Sequence, residues 1–221
     1  MFSETLPHWS GPAYLSLMLL AGVRLDKMKA VVCAKWLKAC VWVYVIVVVA
    51  GVTGIRFLPL QIGSADKKNL GKGDITLDMY GWRDFATRFD SLSRADLASG
   101  RMKENATIIS DYWFPAGHLD HYYAIPYHHN LLVAGPVNDI HQFAWLNQRR
   151  PQLKKGSDAY FIFPSNYYGP PRASLKNDFS RVEDSLRLPQ FRSGIPVRDF
   201  VIYRMHDFRG DSLRFTIPEL H

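Results

Sequence analysis

The chain has 221 residues, 48% of them hydrophobic, with 27 Lys and Arg against 20 Asp and Glu for a net charge of +7. That length holds one medium domain, or a smaller domain with membrane segments. Nucleic acid is excluded as an expected partner, because the excess charge lies in one cluster (Arg24, Lys27, Lys29, Lys35 and Lys38) and the other basic residues are mixed with acidic ones.

Two apolar runs come first. Residues 13–23 (AYLSLMLLAGV) are short for a span of about 20 residues. Trp9 and Tyr14 suit the headgroup level on one side, and Arg24 and Lys27 can snorkel on the other. A secretory signal would place its positive charge before the apolar core, the reverse of the order here. Residues 39–55 (ACVWVYVIVVVAGVTGI) carry no charge. With their flanks they reach span length over residues 37–57. The expectation is a membrane helical hairpin over residues 1–60, with spans at about 12–24 and 37–57. Basic residues between the spans place the connection in the cytoplasm and send both ends outward. Cys33 and Cys40, the only cysteines, are seven apart on one helical face, where they read as small packing residues.

Residues 61–76, opening QIGSADKKNLGKG, are polar and glycine-containing and read as a linker. Residues 77–221 then form the expected extracytoplasmic α/β domain. Trp82, Phe85, Phe89 and Leu92 recur at steps of three and four, predicting an amphipathic helix over 77–97 interrupted early by Gly81. Strands are predicted at 106–110 (ATIIS), 131–134 (LLVA) and 159–163 (AYFIF), with helices over 115–125 and 139–147 between them. This alternation argues for a mostly parallel sheet with helices on its faces. A last strand at 200–205 (FVIYRM) is expected at the sheet edge.

His118, Asp120 and His121 stand close together, with His128, His129 and His141 further on. A metal site is not expected: 118 and 121 share a helical face but Asp120 points away, and no pair of histidines four apart encloses a glutamate. No nucleophile elbow, phosphate-binding glycine loop or dinucleotide pattern occurs, so no cofactor is expected. Asn105-Ala106-Thr107 fits the glycosylation pattern, a triplet that arises often by chance.

The stretch Leu6-Pro7-His8-Trp9-Ser10-Gly11-Pro12-Ala13-Tyr14 resembles an outer loop and helix start in polyprenyl-phosphate-dependent glycosyltransferases of the protein-mannosyltransferase and aminoarabinose-transferase type, within the GT-C superfamily. Asp74-Ile75-Thr76-Leu77-Asp78-Met79-Tyr80-Gly81-Trp82 looks like the entry to that family's extracytoplasmic domain. Asp139-Ile140-His141-Gln142-Phe143-Ala144-Trp145-Leu146-Asn147, followed by Gly156-Ser157-Asp158-Ala159-Tyr160-Phe161-Ile162, is a third match in the family's order.

The resemblance implies a multi-pass protein of the inner membrane with a periplasmic C-terminal domain. It would transfer a sugar from a polyprenyl-phosphate carrier to a glycan, lipid or protein acceptor on the outer face. Such chains are much longer, and the family's general base lies on an earlier outer loop. Met1 is therefore expected to be an internal start or truncation point, and the segment to lack the catalytic carboxylate and be inactive alone. The residues expected to meet substrate are His8, Trp9 and Tyr14 at the membrane surface, with interface anchoring the alternative for the two aromatics. Tyr80 and Trp82 are expected to cap the cavity from the domain side, with core packing the alternative. A second reading is a membrane-anchored extracytoplasmic binding module without enzymatic activity.

Overall fold

The computed structural model describes residues 11–166 and 169–210. The chain divides into two compact units, Met1–Arg56 and Phe57–His221.

The first unit is helical. Helix α1 (Gly11–Asp26) has 16 residues, about 24 Å at 1.5 Å per residue, short of the roughly 30 Å hydrocarbon core. Helix α2 (Ala30–Phe57) has 28 residues, about 42 Å, and its most apolar window has a mean hydropathy of 2.1 with none of it buried. Valine, a poor helix former in water, costs only a few tenths of a kcal/mol per residue, and a helix is the form that satisfies every backbone group away from water. Among the described residues α2 is the one helix long and apolar enough to cross a membrane.

The second unit is a mixed α/β domain around a six-stranded sheet. Helix α3 (Trp82–Ala98) leads to β1 (Thr107–Ser110), α4 (Trp113–Leu119), a π-turn (Asp120–Ala124) and β2 (Leu131–Val133). Two four-residue helices, α5 (Val137–Ile140) and α6 (Phe143–Leu146), precede β3 (Ala159–Pro164) and α7 (Ala173–Asn177). Then come β4 (Phe179–Val182), β5 (Leu186–Arg192) and β6 (Ile195–Phe208). The order is β2-β1-β3-β6-β4, with β5 also paired to β6.

The expected mostly parallel sheet is corrected to a mixed one. β1 pairs parallel with β2 and β3, whereas β6 pairs antiparallel with β3, β4 and β5. The segment expected as an edge strand is the middle of the 14-residue β6, with β3 on one side and β5 then β4 on the other. β5 and β6 form a hairpin through Ser193 and Gly194, both at positive φ (50° and 81°), which joins neighbouring strands directly and so makes them antiparallel.

Alternation sorts the sheet's side chains. Ile108, Tyr160, Ile162, Phe200 and Ile202 pack with Trp82, Phe85 and Phe89 of α3 and with Ala116 and Leu119 of α4. Ile109, Leu132, Phe161, Phe163, Val201 and Met205 form the core of the other face with Leu175 of α7.

Much of residues 61–76, expected as a linker, makes hydrogen bonds and ion pairs with the domain. Ser64 N–H donates to Lys72 O and Gly71 N–H to Ser64 O, each at 2.9 Å. Ser165 Oγ donates to Leu70 O at 2.8 Å, and buried Arg192 pairs with buried Asp74 at 2.7 Å. Gly71 (φ 83°) lies so close to β6 that a Cβ there would stand 2.3 Å from Val197 O. The polar composition misleads because its groups are satisfied partly within the segment and partly by residues more than ninety positions away, Ser165, Arg187 and Arg192.

Candidate functional site

The continuous helical path of α4 and the π-turn has two faces. Pro115, Ala116, Leu119, Tyr123 and Ala124 are buried. The opposite stripe, Phe114, Gly117, His118, His121 and Tyr122, follows i, i+3, i+4, i+7, i+8 spacing and lines an open cleft of about 380 Å³. Trp113, Met79, Gln142 and Phe143 complete its walls. Both sides are fastened to β2. Arg150 Nη2 donates to Asp120 Oδ2 at 2.7 Å while its Nη1 donates to Leu131 O at 2.8 Å. Buried Asn147, just past α6, accepts from Val133 N at 3.1 Å and donates to Val133 O at 2.8 Å.

A nearly continuous series of rings runs along the cleft. Trp113 meets Phe114 edge to face at 5.5 Å, Phe114 meets His118 at 4.7 Å, and His118 stacks on Tyr122 at 6.0 Å. Trp113 also lies 5.4 Å from the ring of His141, which lines an adjoining cleft with Asn138, Gln142 and Trp145. His141 ends α5 at φ 49° and ψ −127°, an unfavourable backbone for a residue with a Cβ. Burial pushes the His118 imidazole down to about 4, with Arg198 and His121 adding to the effect, so the ring is neutral at physiological pH.

Asp111 directly follows β1 at the carboxyl end of the parallel strands. Its side chain is buried, Oδ1 has no hydrogen-bond partner, and burial raises its carboxyl to about 7 against the opposing charge of Arg172. Arg172 forms an ion pair with Asp139 and lies 5.9 Å from the Tyr112 ring centroid.

The five residues expected to contact substrate fall in different places. His8 and Trp9 lie outside the described residues. Tyr14 is 57% exposed on α1. Tyr80 is half-buried, donates its hydroxyl to Phe191 O at 3.0 Å, and borders a separate shallow cleft with Asp84, Arg88 and Gln190. Trp82 is core, at 1% exposure. Its indole donates to Asp78 O at 2.7 Å and stacks on His118 at 4.6 Å and 8°, so it supports the cleft from behind. Arg198 lies over the same indole at 5.1 Å and donates to Leu77 O at 2.8 Å and Tyr80 O at 2.5 Å, fixing the approach to α3.

Of the histidines singled out in the sequence, His118 and His121 share the α4 cleft and His141 lines the adjoining one. Among the described residues no three His, Cys, Asp or Glu side chains gather as a metal site. The roles of Trp113, Phe114, Tyr122 and Gln142 were missed in the sequence, although the stripe from 114 to 122 opposite Ala116, Leu119 and Tyr123 carried the signal. Comparison with family models, curated proteins and solved structures found no match to this chain.

Proposed function

We propose that the chain is the C-terminal part of a multi-pass inner-membrane glycosyltransferase that moves a sugar from a polyprenyl-phosphate carrier to an acceptor on the outer face. The observation that carries this reading is the presence, in the family's order, of three resembling segments around the charge-free residues 39–55, which lie in α2. The positively charged residues between the apolar runs support an outward orientation for the α/β domain. His8 is positioned in sequence to bond a carrier phosphate, and Trp9 and Tyr14 to line its prenyl path.

A photoreactive polyprenyl-phosphate sugar tests the reading in membranes. Labelling of the N-terminal segment, reduced by His8→Ala and by Trp9→Ala, is the expected result, and absence of labelling refutes it. The membrane assignment has its own test. Ile46→Arg with Val49→Arg puts two charges near the middle of α2 at roughly 2.5–3.5 kcal/mol each. The double variant is expected in the alkaline-wash supernatant, and an unaltered chain released by the same wash overturns the assignment.

The second reading, an anchored binding module without enzymatic activity, draws on one observation of its own. The ring-lined cleft on α4 is open, while His118 and Tyr122 are held in place by aromatic neighbours.

A further inference from the structure

We propose that the cleft between α4 and the α5–α6 turn is a carbohydrate-binding site, taking a neutral sugar ring stacked on Trp113 and hydrogen-bonded at its rim by His121, Tyr122 and Gln142. This goes beyond the transfer reading, since it assigns a ligand site inside the α/β domain and holds equally for an anchored module.

Three features of the lining select the ligand. The first is ring faces. Trp113 is 41% exposed and Trp145, in the adjoining cleft, is 63% exposed. Large flat side chains left open to water beside a concavity offer a surface against which the C–H face of a sugar packs, its polarised hydrogens meeting the negative ring face.

The second is neutral polarity. Among the described residues the α4 cleft is lined by no Asp, Glu, Lys or Arg, and His118 is uncharged at physiological pH. A phosphate or a carboxylate meets no lysine or arginine in this lining. The side chains of His121, Tyr122 and Gln142, with Asn138 and His141 next door, make no hydrogen bond among the described residues. Together they offer donors and acceptors for hydroxyls. A purely apolar occupant would take these groups from water and give nothing back, at about 1–3 kcal/mol each. A ring with an apolar face and a hydroxyl edge satisfies both halves of the lining.

The third is local backbone cost. The π-turn at Asp120–Ala124 and the positive φ of His141 border the two clefts, which share Gln142. Such departures cluster at ligand sites because something other than folding stability keeps them. The shared glutamine makes the pair of clefts suited to two linked sugar units. Gly117 supplies the room, since a Cβ built on it meets nothing within 4 Å.

The test uses the full chain in a sugar-free detergent, titrated with methyl glycosides of glucose, mannose, galactose, N-acetylglucosamine and L-arabinose and their common disaccharides. Calorimetry and tryptophan fluorescence read the binding. At least one sugar is expected to saturate with a Kd on the order of 1 mM or below. Trp113→Ala is expected to weaken it by about tenfold, Trp113→Phe to retain most of it, and Gly117→Leu to abolish it, each in a chain that still unfolds cooperatively. Trp145→Ala is expected to affect the disaccharide more than the monosaccharide.

Absence of saturation with every sugar overturns the proposal, as does binding indifferent to both Trp113→Ala and Gly117→Leu. Adenosine binding more tightly than any sugar also overturns it, by making the cleft a nucleobase site. None of these results bears on labelling of the N-terminal segment by the lipid-linked sugar, so the two ideas fail separately.

Discussion

Replacing Arg204 with methionine is expected to be among the most damaging single changes in the α/β domain. The guanidinium meets Asp96 through two bonds, Nε to Oδ2 at 2.7 Å and Nη2 to Oδ1 at 3.0 Å. The Tyr160 hydroxyl donates to the same Oδ2 at 2.8 Å. Asp96 and Arg204 are 4% and 5% exposed. Methionine preserves much of the packing volume but strands a carboxylate in the interior with the tyrosine as its remaining side-chain donor. Removing one partner of a buried pair costs about 3–5 kcal/mol, because the survivor's lost hydration is no longer offset. For a domain of this size that corresponds to a fall in melting temperature of about 6–20 °C. The assay is denaturant unfolding of the full chain in detergent, followed by tryptophan fluorescence. Asp96→Leu with Arg204→Met removes both charges and is expected to recover most of the loss. The reasoning is refuted if Arg204→Met costs less than about 1 kcal/mol, or if the double variant is no better than the single one.

Asp111 and His118 pull stability in opposite directions with pH. A carboxyl raised to about 7 in the fold contributes stability that is complete below its unfolded value and lost as pH rises through 7. An imidazole lowered to about 4 contributes stability that is present above its unfolded value and lost as pH falls toward 4. Between about pH 4 and 6.5 the two slopes oppose each other, and Asp111→Asn is expected to make stability rise more steeply with pH, by at most about 1.4 kcal/mol per unit. Unfolding midpoints at half-unit steps check this, and an unchanged slope counts against it. Gly71→Ala forces a left-handed backbone onto a residue with a Cβ and drives that atom toward Val197 O. A loss of at least ~1–2 kcal/mol is expected from the backbone alone, and a chemical-denaturation midpoint within error of the parent refutes it.

The parts of the fold legible in the sequence are those whose signal is local. Ile108, Leu131 to Val133 and Phe161 sit in short apolar runs that form the parallel strands, and the three- and four-residue steps from Trp82 to Phe89 mark α3. β5 and the start of β6 were hidden because Pro189 and the buried Arg192 and Arg198 break their apolar pattern. Those arginines are tolerated inside through partners such as Asp74 for Arg192 and the Leu77 and Tyr80 carbonyls for Arg198, more than a hundred positions away. The helix expected over 139–147 is split because His141 leaves helical backbone, and no residue there announces it, since glycine is the usual mark of positive φ. At the site, the histidines drew attention as metal candidates, yet what surrounds His118 is Trp82, Phe114 and Tyr122, brought to it by the packing of α3 and by helical spacing.

The two-sided path through α4 also separates two kinds of evolutionary change. On the proposed reading of the cleft, substitutions at 114, 117 and 121 alter what the surface recognises, while those at 116, 119 and 123 alter whether the domain folds. A lineage can therefore drift in specificity along one side of a single helix without incurring debts on the other. His118 and Tyr122 are the exceptions, because the contact of His118 with Trp82 and the packing of Tyr122 against the core tie recognition to the interior, and novelty there is the hardest to acquire.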